Sequence, residues 1–311
     1  MEAVIRWCRT QSFRLVDSDM FFSFRQSPAR VVFSVILVVL VFMSVASPLV
    51  APTDPYALEK LDLMNSHIPP VWLEEGMPEF LLGTDEQGRD IFSAILYGSR
   101  ISLGVGVASV LLAMSIGVSL GLIAGYYGGR IDSTIMRIAE VQLAFPAILL
   151  ALIIDGIFKI VLPDETFASL AIPVLILSIG LTGWVQYART VRGMALVERR
   201  KEYVQAARLV GTTARRILIT HILPNVLGPV MVIATIHLAV AIVTEATLSF
   251  LGVGTPLTEP SLGALVRAGQ DYLFSGQWWQ VIFPGTALVL IVLSVNLLGD
   301  WLRDYFNPKL R

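Results

Sequence analysis

Gly117-Val118-Ser119-Leu120-Gly121 spells the G-x-S-x-G pattern, in which a sharp strand-to-helix turn exposes a nucleophilic serine. A hydrolase of that kind also needs a histidine facing the hydroxyl. Of His67, His221 and His237, only His237 falls within a long uncharged run. ATP hydrolysis would need a P-loop lysine directly after a glycine. The lysines are Lys60, Lys159, Lys201 and Lys309, and none follows a glycine, so an ATP-burning step would belong to another chain. The single cysteine, Cys8, excludes a disulfide framework and a cysteine-based zinc site. His67 has no neighbouring ligands and reads as a solvated residue. No catalytic residue and no metal ligand set is assigned.

The elements that must carry these residues are membrane spans. The 311 residues are 55% hydrophobic and 15% charged, with a mean hydropathy of +0.72. Soluble domains carry about 25% charged residues, so this chain could not cover a water-exposed surface. A net charge of −1 also argues against a nucleic-acid partner, which needs a basic field. A bilayer core of about 30 Å requires roughly 20 apolar helical residues. Val31–Val50, Ile101–Gly129, Ile138–Ile154, Phe167–Ala188, Val226–Thr244 and Trp278–Gly299 meet or approach that length. The expected fold is an all-α integral membrane protein with six transmembrane helices. The G-x-S-x-G pattern then lies inside the second span, where Ala113, Gly117, Gly121 and Gly125 recur every four residues. Such a stripe lets helices approach closely in lipid. Helix packing is the favoured reading, with an intramembrane serine protease as its rival.

Lysine and arginine asymmetry orients the spans. Eighteen of the 23 Lys and Arg lie in segments 1–30, 127–138, 189–225 and 299–311, which places both termini in the cytoplasm. The organisation that follows is a cytoplasmic or interfacial segment 1–30, a first span 31–50 and an outer loop 51–100. A five-helix core 101–299, containing the cytoplasmic segment 189–225, and a cytoplasmic tail 300–311 complete it. Trp7, Phe13, Phe21, Phe22 and Phe24 among arginines suit an interfacial lead-in. The first run is longer than a cleaved leader's apolar region, although Ser44-Val45-Ala46 would offer a cleavage site. Lipid is therefore an expected partner.

Polar groups within spans mark either routes or helix contacts. Successive helical residues turn about 100°, so His237, Ala241, Thr244 and Glu245 share one face. They line a translocation path or satisfy one another's neighbours in interhelical hydrogen bonds. Glu140 and Gln142 are weaker candidates of the same kind, and Pro146 and Pro284 are read as kinks. Gly83 to Asp90 reads as a structural turn of the outer loop, with contact to an external protein as the alternative.

The most informative stretch is cytoplasmic, Glu198-Arg199-Arg200 through Asn225. Tyr203, Ala206, Ala207 and Val210 follow i, i+3, i+4, i+7, one stripe of a short helix. Gly211 is free to take positive φ and close it. Thr212 or Thr213 then caps a second helix with Ile217, Ile219, Ile222 and Leu223 as apolar cover, ended by Pro224. The small Ala206-Ala207 pair permits close approach, and Arg199, Arg200, Arg208, Arg215 and Arg216 surround it. A helix-turn-helix knob of this type suits docking into a groove on a soluble protein.

These residues carry a resemblance. Gln205-Ala206-Ala207, Gly211 and Leu223-Pro224 are similar to the cytoplasmic-loop signature of ABC importer permeases, with Gln205 in the place of the triplet's glutamate. Gly83-Thr84-Asp85-Glu86-Gln87-Gly88-Arg89-Asp90, Tyr97-Gly98, Ser102-Leu103, Phe145-Pro146, His221 to Asn225, Leu248-Ser249-Phe250-Leu251-Gly252 and Asn296 to Asp300 resemble the second-permease type of its peptide/nickel branch. Leu262-Gly263 stands where that type often has Trp-Gly. The resemblance implies a type I ABC importer permease fold in the bacterial inner membrane, with no enzyme activity or cofactor on this chain. It implies a second permease as heterodimeric partner and two ATP-binding subunits carrying ATP and Mg. It also implies a substrate-binding protein outside, and alternating access for di- or oligopeptides. A proton-coupled secondary transporter is the other transport reading.

Overall fold

Pro28 opens α1 (Pro28–Val45) at a position where a missing N–H leaves no helical bond unmade. A computed structural model describes residues 27–57, 62–255 and 259–306. The readings of residues 1–26 as an interfacial lead-in and of 307–311 as tail lie outside the described residues. A short α2 (Ser47–Val50) follows α1. The next segment is irregular but heavily bonded, and it ends at the capping residue of α3 (Ile91–Tyr127). Asp90 accepts from the backbone N–H and the hydroxyl of Ser93 at 2.9 and 2.6 Å. Before it, Asp85 accepts from the Gln87 and Arg89 N–H groups and pairs with the Arg89 guanidinium at 2.6 Å. Gly83 and Gly88 adopt φ +82° and +76°, and a Cβ on Gly88 would meet the Asp62 carbonyl at 2.3 Å. Gly83–Asp90 is thus a closed structural turn, docked by the Trp279 indole N–H on the Thr84 carbonyl at 3.2 Å.

The second span starts ten residues earlier than the uncharged run at Ile101 suggested. Arg100 ends that run in the sequence, yet its side chain points out of the bundle while Ile91, Ala94, Ile95 and Leu96 are buried. His67 also departs from expectation. It is half-buried, accepts from Gln280 Nε2 at 2.9 Å and packs on the Tyr272 ring at a centroid distance of 4.7 Å.

The expected third span is not one helix. Residues 138–154 straddle a 94° bend between α4 (Gly129–Leu143) and α5 (Ala147–Val161). Pro146 lacks an N–H and disfavours helical backbone before it. Gln142 fixes the corner: its Nε2 donates to the Leu181 and Thr182 carbonyls at 2.9 and 3.0 Å. Its Oε1 accepts from the Trp184 indole at 2.7 Å.

α6 (Asp164–Glu198) packs along α3 through the small-residue stripe. A Cβ on Gly117 would lie 2.4 Å from the Trp184 carbonyl, and one on Gly121 2.6 Å from the Ala188 carbonyl. Ala195 closes on Gly125 in the same way. Ser119 lies mid-helix on the opposite, exposed side of α3, with no turn to strain it. The rest of the chain is α7 (Glu202–Leu209), α8 (Ala214–Arg216), a π turn Ile217–Ile222, α9 (Leu223–Phe250), α10 (Leu262–Gln270) and α11 (Trp279–Phe306). α10 wedges between α3, α9 and α11, where Gly263 approaches Ala246 so closely that a Cβ would sit 2.3 Å from its carbonyl. Among the described residues, five helices are long and apolar enough to cross a membrane, or six spans if the bent α4–α5 pair counts as one.

Candidate functional site

The 198–225 segment forms a knob at the end of the bundle where α3 and α6 finish. Glu198, nearly buried at the end of α6, anchors it. Its carboxylate accepts from Lys201 Nζ at 2.6 Å and from the Tyr203 hydroxyl. Asn225 Nδ2, at the start of α9, donates to the Tyr203 oxygen at 2.9 Å and to the His221 carbonyl at 2.8 Å. One phenol therefore joins the end of α6, α7 and the start of α9. Partial burial, then the adjacent Glu198 carboxylate, pushes the Tyr203 hydroxyl above its ordinary value, with Asn225 acting weakly the other way. A raised folded value means that the contact is complete below the free tyrosine value of about 10. It is lost only as pH rises beyond that. Tyr203→Phe should remove about 1 kcal/mol, lowering the melting temperature of the solubilised protein by about 2–4 °C. An unchanged melting curve would show that the phenol is not a brace.

Val204 and Ala207 are the inner face of α7, packed with Ile217, Ile222 and Val226. Arg208 lies over the Tyr126 ring, 4.6 Å from its centroid, and Arg199 Nη1 donates to the Tyr126 carbonyl at 3.0 Å. Those two arginines fasten the knob to α3. Arg200, Arg215 and Arg216 remain exposed, as do Ala206 and Pro224, while Leu223 is half-buried. Gln205 does not reach outward: its amide donates to the Arg200 carbonyl at 2.8 Å. Gly211, at φ +82°, closes α7 in a Schellman turn, with Thr212 N–H on the Ala207 carbonyl and Gly211 N–H on that of Arg208, both 3.0 Å. Thr213 occupies the capping position of α8 without a side-chain bond.

Of the stripe assigned from sequence only Ala207 faces inward, with Tyr203 and Ala206 exposed. Val210 does not join Ala207 inside but is 86% exposed, and Leu209 beside it is 89% exposed. The knob therefore presents an apolar tip, Leu209-Val210, with arginines around it. The only sequence signal for the tip was two bulky apolar residues directly before the helix-closing glycine.

The polar residues of α9 lie inside the bundle. His237 Nδ1 and the Tyr187 hydroxyl are 3.0 Å apart, and the His237 ring fills the space left by Gly183 of α6. Glu245 is fully buried; Ser249 of the same helix donates to its Oε1 at 2.8 Å, its Oε2 has no hydrogen-bond partner, and Ser102 and Ser261 are its neighbours on other elements. Glu245 thereby sits among α3, α9 and the N-terminus of α10. Thr244 donates to the Val240 carbonyl of its own helix at 2.8 Å and is half-buried. Gln142 holds α4 on α6 as described, and Glu140 is exposed. His237 thus faces a tyrosine on α6 rather than Ser119, which leaves the protease constellation without a base. Among the described residues, no group of three or more His, Cys, Asp or Glu side chains could hold a metal ion.

The structure is a bundle of apolar helices long enough to cross a membrane, with the 198–225 knob at one end and buried polar groups between the helices. The chain belongs to the family of binding-protein-dependent transport system inner membrane components, which matches residues 117–311. Residues 18–70 match the N-terminal TM domain of oligopeptide transport permease C. The dipeptide transport system permease protein DppC of Haemophilus influenzae is 36% identical over 293 residues, covering 94% of this chain and 95% of that protein. The oligopeptide transport system permease protein OppC of Bacillus subtilis is 35% identical over 293 residues, 94% of this chain and 90% of that protein. Among solved structures, an inward-facing MetNI methionine ABC transporter superposes with a TM-score of 0.54 at 21% identity, covering 70% of this chain and 98% of that chain. That likeness is one of fold. The chain is a non-catalytic permease subunit of an ABC importer.

Proposed function

We propose that this subunit imports peptides, paired with a second, different permease and driven by two ATP-binding subunits that carry ATP and Mg. A substrate-binding protein delivers the ligand to the end of the bundle opposite the knob. The orientation is the one that lysine and arginine asymmetry favours, with both termini and the knob in the cytoplasm of a bacterial inner-membrane protein. ATP closes the two ATPases, the knob transmits that movement, and the bundle exchanges inward-open and outward-open states.

The observation that carries the coupling role is the apolar Leu209-Val210 tip on a braced base. Glu198, Arg199, Tyr203, Ala207, Arg208 and Leu223 form the base, and Gln205 stiffens the approach to it. Ala206, Gly211, Arg200, Arg215 and Pro224 lie on the side open to a partner. A braced tip transfers displacement; a floppy one would absorb it. For two of the span residues, the interhelical role has the stronger support. His237 and Gln142 bond across helices, while Glu245 and Thr244 bond within α9 and keep the translocation-path reading open to them.

The test is uptake of a labelled dipeptide by proteoliposomes holding the co-purified complex. Uptake should require ATP and the binding protein. Uptake by this chain alone, driven by a pH gradient, would establish a secondary transporter instead.

A further inference from the structure

A cavity of about 510 Å³ opens at the end of the bundle opposite the knob, between α5, α6, the turn after α9 and α10. Its walls include Phe167, Ala171, Val253 and Ala264, which are apolar, and its charges are of both signs. Asp155 of α5 lines it. That side chain is only 2% exposed, and its Oδ1 has no hydrogen-bond partner. A buried, unsatisfied carboxylate oxygen is costly, and this one borders open space that a ligand could fill. Asp85, Asp132 and Glu198 are ion-paired with Arg89, Arg192 and Lys201, and the other unsatisfied buried carboxylate oxygens, Asp90 Oδ1 and Glu245 Oε2, belong to acids whose second oxygen accepts from a serine.

Two cations border the same cavity. Lys159 lies one turn beyond Asp155 on α5, and Arg267 reaches in from α10. Arg267 owes its position to Gly252, where a Cβ would sit 1.8 Å from its Nη1. Neither cation forms an ion pair within 4.0 Å of Asp155. The other acids of the cavity are Glu86, which accepts from the Tyr272 hydroxyl at 2.6 Å, and Asp271.

We propose that this cavity is a binding site for a free zwitterionic peptide, with Asp155 receiving its α-ammonium group and Arg267, supported by Lys159, its α-carboxylate. The apolar walls between them contact side chains without specifying them. The volume lies within the range of about 300–1,000 Å³ typical of small-ligand sites. A cation alone is disfavoured by Lys159 and Arg267, and an anion alone by Asp155. The site would hold a peptide after its release from the binding protein and before the bundle opens inward. The assignment rests on the peptide-import reading.

The complete complex, with ATPases and binding protein, is reconstituted and given radiolabelled dialanine. Asp155→Asn and Arg267→Gln should each lower uptake about tenfold, as expected for loss of one charge-assisted contact. ATP hydrolysis stimulated by the binding protein should stay within about twofold of wild type. Arg267→Lys should recover most of the uptake. Arg267 is exposed, so its variants test the site even if Asp155→Asn weakens assembly. Unchanged uptake in both neutral variants overturns the assignment. So does an equal fall of uptake and ATP hydrolysis in both, which would mark structural roles. If the wild-type complex takes up no dialanine, the peptide reading itself fails and the assignment falls with it.

Discussion

Leu209→Asp is expected to abolish ATP-driven uptake by the assembled transporter, by tenfold or more, while the protein inserts and folds normally. At 89% exposure Leu209 contributes nothing to the internal core, so a carboxylate there has no folding cost within the chain. In a docked groove the same carboxylate would be desolvated without a partner, and central apolar contacts of interfaces are worth about 2 kcal/mol or more. The knob positions named from the sequence test the same idea less cleanly. Ala207→Asp buries a charge against Ile217 and Val226, so it damages the knob as well as the contact. Gly211→Asp meets no atom within 4 Å, but it places a side chain at φ +82°, which costs about 1 kcal/mol. The measurements are ATP-driven uptake and the amount of ATPase subunits that co-purify. Full transport with Leu209→Asp would remove the tip from the coupling mechanism.

The second large effect is expected at the α3–α6 contact. Gly121→Leu should prevent accumulation of monodisperse protein, because even its Cβ would lie 2.6 Å from a backbone carbonyl of the facing helix. Backbone cannot move aside as a flexible side chain can, so the helices must separate along Ala113, Gly117 and Gly125 as well. Overpacking commonly costs about 1–3 kcal/mol, and the continuous stripe places this case at the upper end or beyond. Gly104→Ala is the matched control. Gly104 lies on the same helix with nothing within 4 Å, so the change should be neutral or stabilise by up to about 1 kcal/mol. Ser119→Ala should have no effect on folding or transport, since that hydroxyl faces away from α6. Size-exclusion profiles and melting curves of the solubilised variants decide the matter. A well-behaved Gly121→Leu protein would show that the stripe tolerates separation.

The two substitutions draw on different kinds of information. The stripe was readable because its period of four residues is a local property that any helix converts into one face. The tip was not, because whether Leu209 points in or out depends on which side of α7 meets Ile217 and Ile222. The periodic pattern placed Val210 on one stripe with Ala207; the Schellman turn at Gly211 leaves Val210 exposed while Ala207 packs inward. The same limit applied to the third span. Hydropathy described 138–154 as one run, because it counts apolar residues and carries no information about a proline corner that Gln142 fastens to Leu181, 39 residues further along the sequence.

By itself the sequence determined that the chain lives in a bilayer, roughly where most of its apolar helices lie, and that a helix–glycine–helix element interrupts them. Each of these follows from composition and spacing within about thirty residues, the range over which backbone hydrogen bonding and burial in lipid act. Only the tertiary structure decided what the polar residues do. His237 meets Tyr187 across 50 positions of chain, Glu245 neighbours serines of two other elements, and Asp155 is left facing a cavity. Those outcomes depend on which helices pack together, and in lipid, where apolar burial does not discriminate between partners, close packing and a few hydrogen bonds make that choice.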